Sequence, residues 1–556
     1  MRRLAMLTSV LIIGTGSGIS QNIPVALSRK IDSLFLIWNT TSSPGCSVGI
    51  VRNDSLIYAK GYGMSNLEYG IINEPRTIYH MASVSKQFTA YAILLLEKSG
   101  KLSIDDDVHK YLNWFPDMHK RITIRNLLNH TSGIRDQWEL LAIAGTRLDD
   151  VITQEQIVKL LSRQQALNFE PGSKYAYSNS GFTMLAEIVK AVSGQTLRQF
   201  TDSAIFKPLG MTSTHFHDDY TEIEKNRAYS YDTDDSGRLV NSILSYSNEG
   251  ATSLFTNVPD MSKWVMNFYQ TRVGDASTIT ELAEKTRLTS GKEISYAKGI
   301  VVNDFRGQRQ FGHDGADAGY RTSISVYPDL KLGFIVFSNF GDFDPSGKAR
   351  EMASLFIPEP AAKKKQEAAK KVDSTTAVIS DTNAIHFLLG SYSGEDAHFG
   401  LRLRDQRLYW VLGNGKERLL IPSMRDSFAD AILPEVKFLF SHEGGKTIMH
   451  EFWPDNSRVL TKYDERKLTD EELGAFTGVF YCPELDCKYG VALKNHQLVL
   501  TNDKYDDKPL TVRGDFLTDD YWWIQNIKML RSSSGKITGF ETNSGRVQHL
   551  FFEKLK

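Results

Sequence analysis

The apolar positions of the chain change period along its length, and the changes mark out its elements. Residues 46–62 read as two strands with a turn at Asn53-Asp54. The pattern then becomes helical. Gln87-Phe88-Thr89-Ala90-Tyr91-Ala92-Ile93-Leu94-Leu95-Leu96 is an apolar helix-like run, and helical and loop segments continue to about residue 267, with another apolar helix over 184–192. Strand patterns return at 297–304, 321–327 and 332–338, and 347–356 reads as a closing helix. Strands at both ends with helices between them predict an antiparallel sheet covered by helices, an α/β (α+β) domain with a helical half inserted.

Residues 358–381 break this pattern, and the Lys- and Ala-rich run inside them reads as a solvated linker. Beyond it, short alternating strands and turns repeat at an offset of about ninety residues. Leu403 and Leu408 match Leu493 and Leu498, Leu420 matches Leu510, and Gly445-Lys446 matches Gly535-Lys536. Each copy has enough strands for a small antiparallel barrel. The expected organisation is a leader over 1–20, a main domain over 21–357, a linker over 358–383, and two all-β barrel-like domains over 384–465 and 466–556.

A net charge of −1 over 556 residues argues against nucleic acid or an anionic membrane surface as partner. Arg2 and Arg3, the apolar run 4–13 and the small residues of Gly18-Ile19-Ser20 before Gln21 read as a secretory signal, so export to a periplasm or beyond is expected. No other segment is apolar enough to cross a membrane. Of three cysteines, Cys46 falls on an expected core strand as a small apolar residue. Cys482 and Cys487 flank Pro483-Glu484-Leu485-Asp486; in an oxidising compartment they could close a disulfide across a turn, or they remain two free thiols.

The candidate chemistry sits at Met81-Ala82-Ser83-Val84-Ser85-Lys86, just before the first apolar helix. Residues three apart on a helix share a face, so the Lys86 ammonium can reach the Ser83 hydroxyl. A serine is a poor nucleophile until a neighbour takes its proton, and burial lowers a lysine pKa toward that task. Ser-x-x-Lys recurs at Ser295/Lys298 and Ser533/Lys536, but only Ser83 opens a long amphipathic helix. Tyr177-Ser178-Asn179 lies in a loop just before the second apolar helix, and His313-Asp314-Gly315-Ala316 lies shortly before a strand-like run.

Taken in order, Ser83-x-x-Lys86, Tyr177-x-Asn179 and His313-x-Gly315 resemble the serine beta-lactamase-related family of class C beta-lactamases, DD-peptidases, esterases and D-aminopeptidases. Pro44-Gly45-Cys46, Leu127-Leu128-Asn129-His130-Thr131-Ser132-Gly133 and Pro208-Leu209-Gly210-Met211 fit the same family. The resemblance covers about residues 43–357. It implies a penicillin-binding-protein-like catalytic domain, and the two C-terminal repeats resemble the barrels of D-aminopeptidases.

The resemblance also implies roles. Ser83 is the nucleophile, Lys86 the base, and Tyr177 the proton relay to the leaving group. Asn179 holds the substrate amide, and the backbone N–H groups of Ser83 and Ala316 form the oxyanion hole. His313 stands where many relatives have lysine and carries less fixed positive charge for a substrate carboxylate. Gly315 lets substrate approach the strand edge. His130 reads as a structural loop residue. His215 and His217 lack a third ligand motif and read as an exposed loop, so no metal or other cofactor is expected. The expected substrate is a small molecule or short peptide, with a beta-lactamase, a DD-carboxypeptidase or a non-catalytic scaffold as the alternatives.

Overall fold

The computed structural model describes residues 23–360, 378–379, 381–394, 397–412, 416–424, 426–453, 457–518 and 521–556. The expected leader and most of the expected linker fall outside these residues.

A six-stranded antiparallel sheet organises the N-terminal half, in the order Val301–Phe305, Gln308–Asp317, Tyr320–Tyr327, Leu332–Ser338, Cys46–Arg52, Ser55–Tyr62. The first and last parts of this half meet at its centre, where Cys46 faces Ser338 and Arg52 faces Leu332. Six consecutive residues from Cys46 are buried, because helices cover both faces. Cys46, Val48, Ile50, Phe334 and Val336 pack toward helices Val25–Ser33 and Pro345–Ser354, while Val51, Ile335 and Phe337 pack toward helix Val258–Gln270. That helix comes so close that a side chain at Gly49 or Gly333 would collide with Val258 or Val265.

Inserted between the strands is a helical half built around Lys86–Lys98, ten of whose 13 residues are buried, and Asn179–Ser193 beside it. The sequence pattern read as amphipathic, but the helix is buried on nearly all sides, polar Gln87 and Thr89 included, and forms the core of this half. The α-helix begins at Lys86, so Ser83 lies in the 3-10 turn Ala82–Ser85 ahead of it, not in the helix itself.

The first C-terminal unit is a closed eight-stranded barrel from Gly390–Ser393 to Ser457–Tyr463, whose end strands pair Ser391 with Tyr463. The second is a nine-stranded sheet in which Tyr505–Pro509 and Thr511–Arg513 form the two edges. Only Leu510 separates these edges in sequence, so one bent run nearly completes a second barrel. The repeat is visible in the register: Leu403 faces Leu408 across one hairpin, and Leu493 faces Leu498 across its counterpart. Cys482 faces Cys487 at the mouth of a hairpin, and both are free thiols; the disulfide alternative is not formed. Cys46 is fully buried, as expected.

The second barrel is joined to the helical half through helix Gln137–Ile143. Leu140 and Ile143 belong to the barrel's own core, and Tyr489 Oη donates to Ile143 O at 2.8 Å. Beside them, the buried Arg135 meets the buried Glu484 carboxylate at 2.6 Å and also donates to Gln548 O and His549 O. Removing one partner of a buried ion pair strands the other charge, at a cost of about 3–5 kcal/mol. Glu484→Ala is therefore expected to lower the denaturant midpoint of full-length protein strongly, whereas the exposed pair Lys494–Asp507 should be nearly neutral when cut by Asp507→Asn. Equal midpoints for wild type and Glu484→Ala would show that the contact does not hold the two units together.

Candidate active site

The nucleophile turn is held from three sides. Strand Tyr79–His80 pairs with Leu254–Thr256, and Met81 N–H donates to Leu254 O at 2.8 Å. Ala82 adopts φ +48°, a left-handed conformation that non-glycine residues rarely take and that persists only where the surroundings enforce it. Thr322 Oγ1 donates to Met81 O at 2.8 Å from the sheet side. Gly315 lies so close that a Cβ there would strike Met81 O and the Thr322 hydroxyl. The small residue at Gly315 is thus needed for strand-to-turn contact, a different reason from the substrate approach expected above.

Lys86 is fully buried, and its ammonium has three neighbours: Asn179 Oδ1 at 2.8 Å, Ala251 O at 2.7 Å and Ser83 Oγ at 3.2 Å. Desolvation by burial pulls its pKa down to about 7, against the pull of Asp136 and with a further push from Arg546. Asn179 is fixed in orientation. Its backbone N–H and its Nδ2 both donate to Asp136 Oδ2, at 2.6 and 2.8 Å, which turns Oδ1 toward Lys86. The amide expected to hold substrate therefore has Asp136 at one end and Lys86 at the other. Asp136 is itself the N-cap of Gln137–Ile143, accepting from Trp138 N–H.

The Tyr177 ring lies 4.8 Å from Lys86 Nζ, with its hydroxyl buried on the Ser83 side. Desolvation raises the Tyr177 pKa, outweighing the opposite effects of Ser83 and Arg546, so it is a neutral phenol. His130 stacks against Tyr177 with ring centroids 4.1 Å apart and accepts from Ser178 N–H at 3.1 Å. His130 is thus packed beneath the site. Burial holds its pKa well below the ordinary value.

His313 sits on strand Gln308–Asp317 and is 8% exposed. Burial, and then the nearby Lys86, lower its pKa to about 3, so the imidazole is neutral. Its Nδ1–H donates to Asp314 O at 2.6 Å, and Nε2 accepts from Tyr296 Oη at 3.1 Å. A histidine so engaged offers no cation to a substrate carboxylate.

Ser83, Tyr177, Asn179, His313, Gly315 and Ala316 all line one cleft of about 950 Å³. A larger groove of about 1690 Å³ runs between the N-terminal half and the two barrels and contains none of these six. The other Ser-x-x-Lys pairs lie elsewhere: Lys298 is bound to Glu284 at 2.9 Å, and Ser533-Lys536 spans an exposed hairpin turn.

Two cleft residues, Trp522 and Arg546, come from far along the chain. Strands Ile537–Ser544 and Val547–Lys554 of the second barrel are joined by Gly545-Arg546, and this tip enters the cleft. The Arg546 guanidinium lies 4.9 Å from the centre of the Tyr177 ring, 3.6 Å from Asp136 Oδ2 and 4.0 Å from Glu139 Oε1. Asn168 Nδ2 anchors the tip by donating to Arg546 O at 2.8 Å. Sequence reading found neither Arg546 nor Asp136, since no motif surrounds them. It also placed His217 in an exposed loop, whereas His217 is 1% exposed and packed on Phe255.

Residues 36–357 match the Beta-lactamase family, and the chain belongs to it. A D-aminopeptidase of Brucella anthropi is 28% identical over 333 residues, 59% of this chain and 62% of that protein. A second D-aminopeptidase from Brucella anthropi is 30% identical over 314 residues, 56% of this chain and 58% of that protein. The chain thus spans about three fifths of the length of these relatives. Among solved structures, an octameric penicillin-binding protein homologue from Pyrococcus abyssi shares the fold, with TM-score 0.53 at 22% identity over 79% of this chain and 99% of that one.

Proposed function

We propose that the protein is a serine hydrolase that opens amide or ester bonds of small molecules or short peptides through an acyl-enzyme. One observation carries this reading: a fully buried lysine, titrating near neutrality, 3.2 Å from a serine hydroxyl at a strained turn. In its neutral form the Lys86 amine donates its two hydrogens to Asn179 Oδ1 and Ala251 O, and its lone pair faces Ser83 Oγ. Ser83 Oγ attacks the substrate carbonyl as its proton passes to Lys86. Tyr177, a neutral phenol beside both groups, passes its proton to the leaving amine or alcohol and regains one from Lys86, which is left neutral. The N–H groups of Ser83 and Ala316 receive the oxyanion. Water then attacks the acyl-serine as neutral Lys86 takes its proton, and that proton returns to Ser83 Oγ as the acid product leaves.

Substrates with a free N-terminal amine beside a D-residue are the favoured class. Asp149, paired with Arg147, and Asp317, which accepts from Thr252 Oγ1 at 2.8 Å, both line the cleft, and Asp317 follows directly after Ala316. Arg546 is engaged by Asp136 and Glu139, and His313 is neutral, so the site favours an ammonium over a carboxylate. The D-aminopeptidase relatives support this class. The leader-like residues 1–20 support export.

A covalent serine probe followed by intact-mass measurement is expected to add one label per chain. D-aminoacyl amides and small esters are expected to turn over, N-acetylated forms of the same amides poorly, and a chromogenic cephalosporin poorly. No label and no turnover would favour the scaffold alternative. Efficient cephalosporin hydrolysis with the amides untouched would overturn the substrate class but leave the serine mechanism.

A further inference from the structure

His215 and His217 flank Phe216 on a short strand that pairs with Leu254–Thr256, and His217 N–H donates to Ser253 O at 2.8 Å. Alternate residues of an extended chain share a face, which brings the two imidazoles within 5.8 Å of each other, centre to centre. A tight turn follows. Asp219 Oδ1 accepts from Thr221 N–H and Thr221 Oγ1, and Glu222 N–H donates to Asp219 O at 3.0 Å. The turn carries Glu222 back over the histidines.

Glu222 Oε2 then lies 3.9 Å from His215 Nε2 and 3.7 Å from His217 Nδ1, and Glu224 Oε2 lies 3.5 Å from His215 Nε2. The longer two separations are beyond hydrogen-bonding range, and none is a good hydrogen bond. Both imidazole nitrogens are buried without a hydrogen-bond partner, and the His217 side chain is only 2% exposed. Two orphaned nitrogens turned toward one carboxylate oxygen are costly unless something sits between them. Ligand atoms about 2.0–2.2 Å from a tetrahedral zinc ion lie about 3.3–3.6 Å apart. The 3.5 Å separation already fits that range, those of 3.7 and 3.9 Å need to contract by a few tenths of an ångström, and the ligand atoms of His215, His217 and Glu222 all lie within 4.8 Å of one another.

The geometry points to a divalent transition-metal site held by His215 Nε2, His217 Nδ1 and Glu222 Oε2, with Zn²⁺ as the best-suited ion. Imidazole with carboxylate is a donor set for zinc-like ions rather than for magnesium or calcium. Arg198 orients the Glu222 carboxylate by donating to both its oxygens, at 2.6 and 2.9 Å, and Oε2 keeps a second lone pair for the ion. Three carboxyl groups, those of Asp218, Glu222 and Glu224, surround the two imidazoles against the guanidiniums of Arg198 and Arg227.

The role is structural. The metal ties the 215–224 segment to strand Leu254–Thr256. That strand pairs on its other side with Tyr79–His80 and follows Ala251, whose carbonyl holds Lys86. Metal binding thus stiffens the wall behind the nucleophile turn without touching substrate.

The test is titration of chelator-treated full-length protein with ZnCl₂ by calorimetry, and with CoCl₂ by visible absorption. One equivalent of each ion should bind, Co²⁺ should show the intense absorption of a tetrahedral site, and Zn²⁺ should raise Tm. His215→Ala and Glu222→Gln, both at partly exposed positions, should each weaken binding at least about tenfold. His496→Ala, on an exposed histidine of the second barrel, should leave it unchanged. Ser83→Ala should bind Zn²⁺ as wild type does, so the metal and the hydrolase readings fail separately. Absence of stoichiometric uptake, or unchanged affinity in both His215→Ala and Glu222→Gln, would overturn the site.

Discussion

Ser83→Ala protein is expected to fold as wild type does and to lose turnover by about a million-fold. Ser83 is partly exposed in the 3-10 turn, where its hydroxyl meets the Lys86 ammonium at 3.2 Å and faces the Tyr177 hydroxyl. Losing the hydroxyl therefore removes little packing, while it removes the atom that forms the acyl bond and with it the covalent route. Steady-state rates on a D-aminoacyl amide or a small ester, with Tm measured alongside, make the comparison. Ser295→Ala and Ser533→Ala are the matched controls and should be nearly silent. Wild-type turnover in the Ser83 variant would end the assignment of this turn as the nucleophile site.

Lys86→Met should reduce single-turnover acylation by several powers of ten, because the substitution keeps most of the side-chain length and removes the base. In wild type, kcat/KM should rise with pH through about 7, since only the neutral amine accepts the serine proton and protonation silences it below that value. Tyr177→Phe should slow acylation as well, and the double variant should be little worse than Lys86→Met, since both groups serve one proton path. Arg546→Ala removes a like charge and frees Asp136 to act on Lys86. Both changes raise the lysine pKa, so the acid limb should move to higher pH. A limb that stays in place in that variant would show that the hairpin tip does not tune the base. Fully additive losses in Lys86→Met and Tyr177→Phe would show that the two residues do not share a relay.

The elements most plainly legible in the sequence were those buried along most of their length. Helix Lys86–Lys98 and strands Cys46–Arg52 and Leu332–Ser338 lie between two packed layers, so their apolar runs are long and unambiguous. Strand Gln308–Asp317 carries His313 and was not read as a strand. Its inward positions are Phe311, His313 and Gly315, and only one of these is a large apolar residue. The C-terminal repeat was legible because equivalent hairpins demand equivalent leucines and turn glycines in both barrels.

Sequence alone determined the family, the ordered trio of motifs around Ser83, Tyr177 and His313, and the succession of one large α/β half and two β-barrel units. These are local properties: a period, a short spacing or a repeat leaves its mark on neighbouring residues. Tertiary structure alone decided what surrounds the motifs. Asp136 turns the Asn179 amide toward Lys86, Ala251 supplies a carbonyl to the same ammonium, and Arg546 arrives over Tyr177 from the far end of the chain. Glu222 closes on two histidines through a turn that no ligand spacing announces. Such contacts join residues tens to hundreds of positions apart, and the energies that matter there, desolvation of a lysine or orphaning of an imidazole, depend on what the whole fold excludes from water.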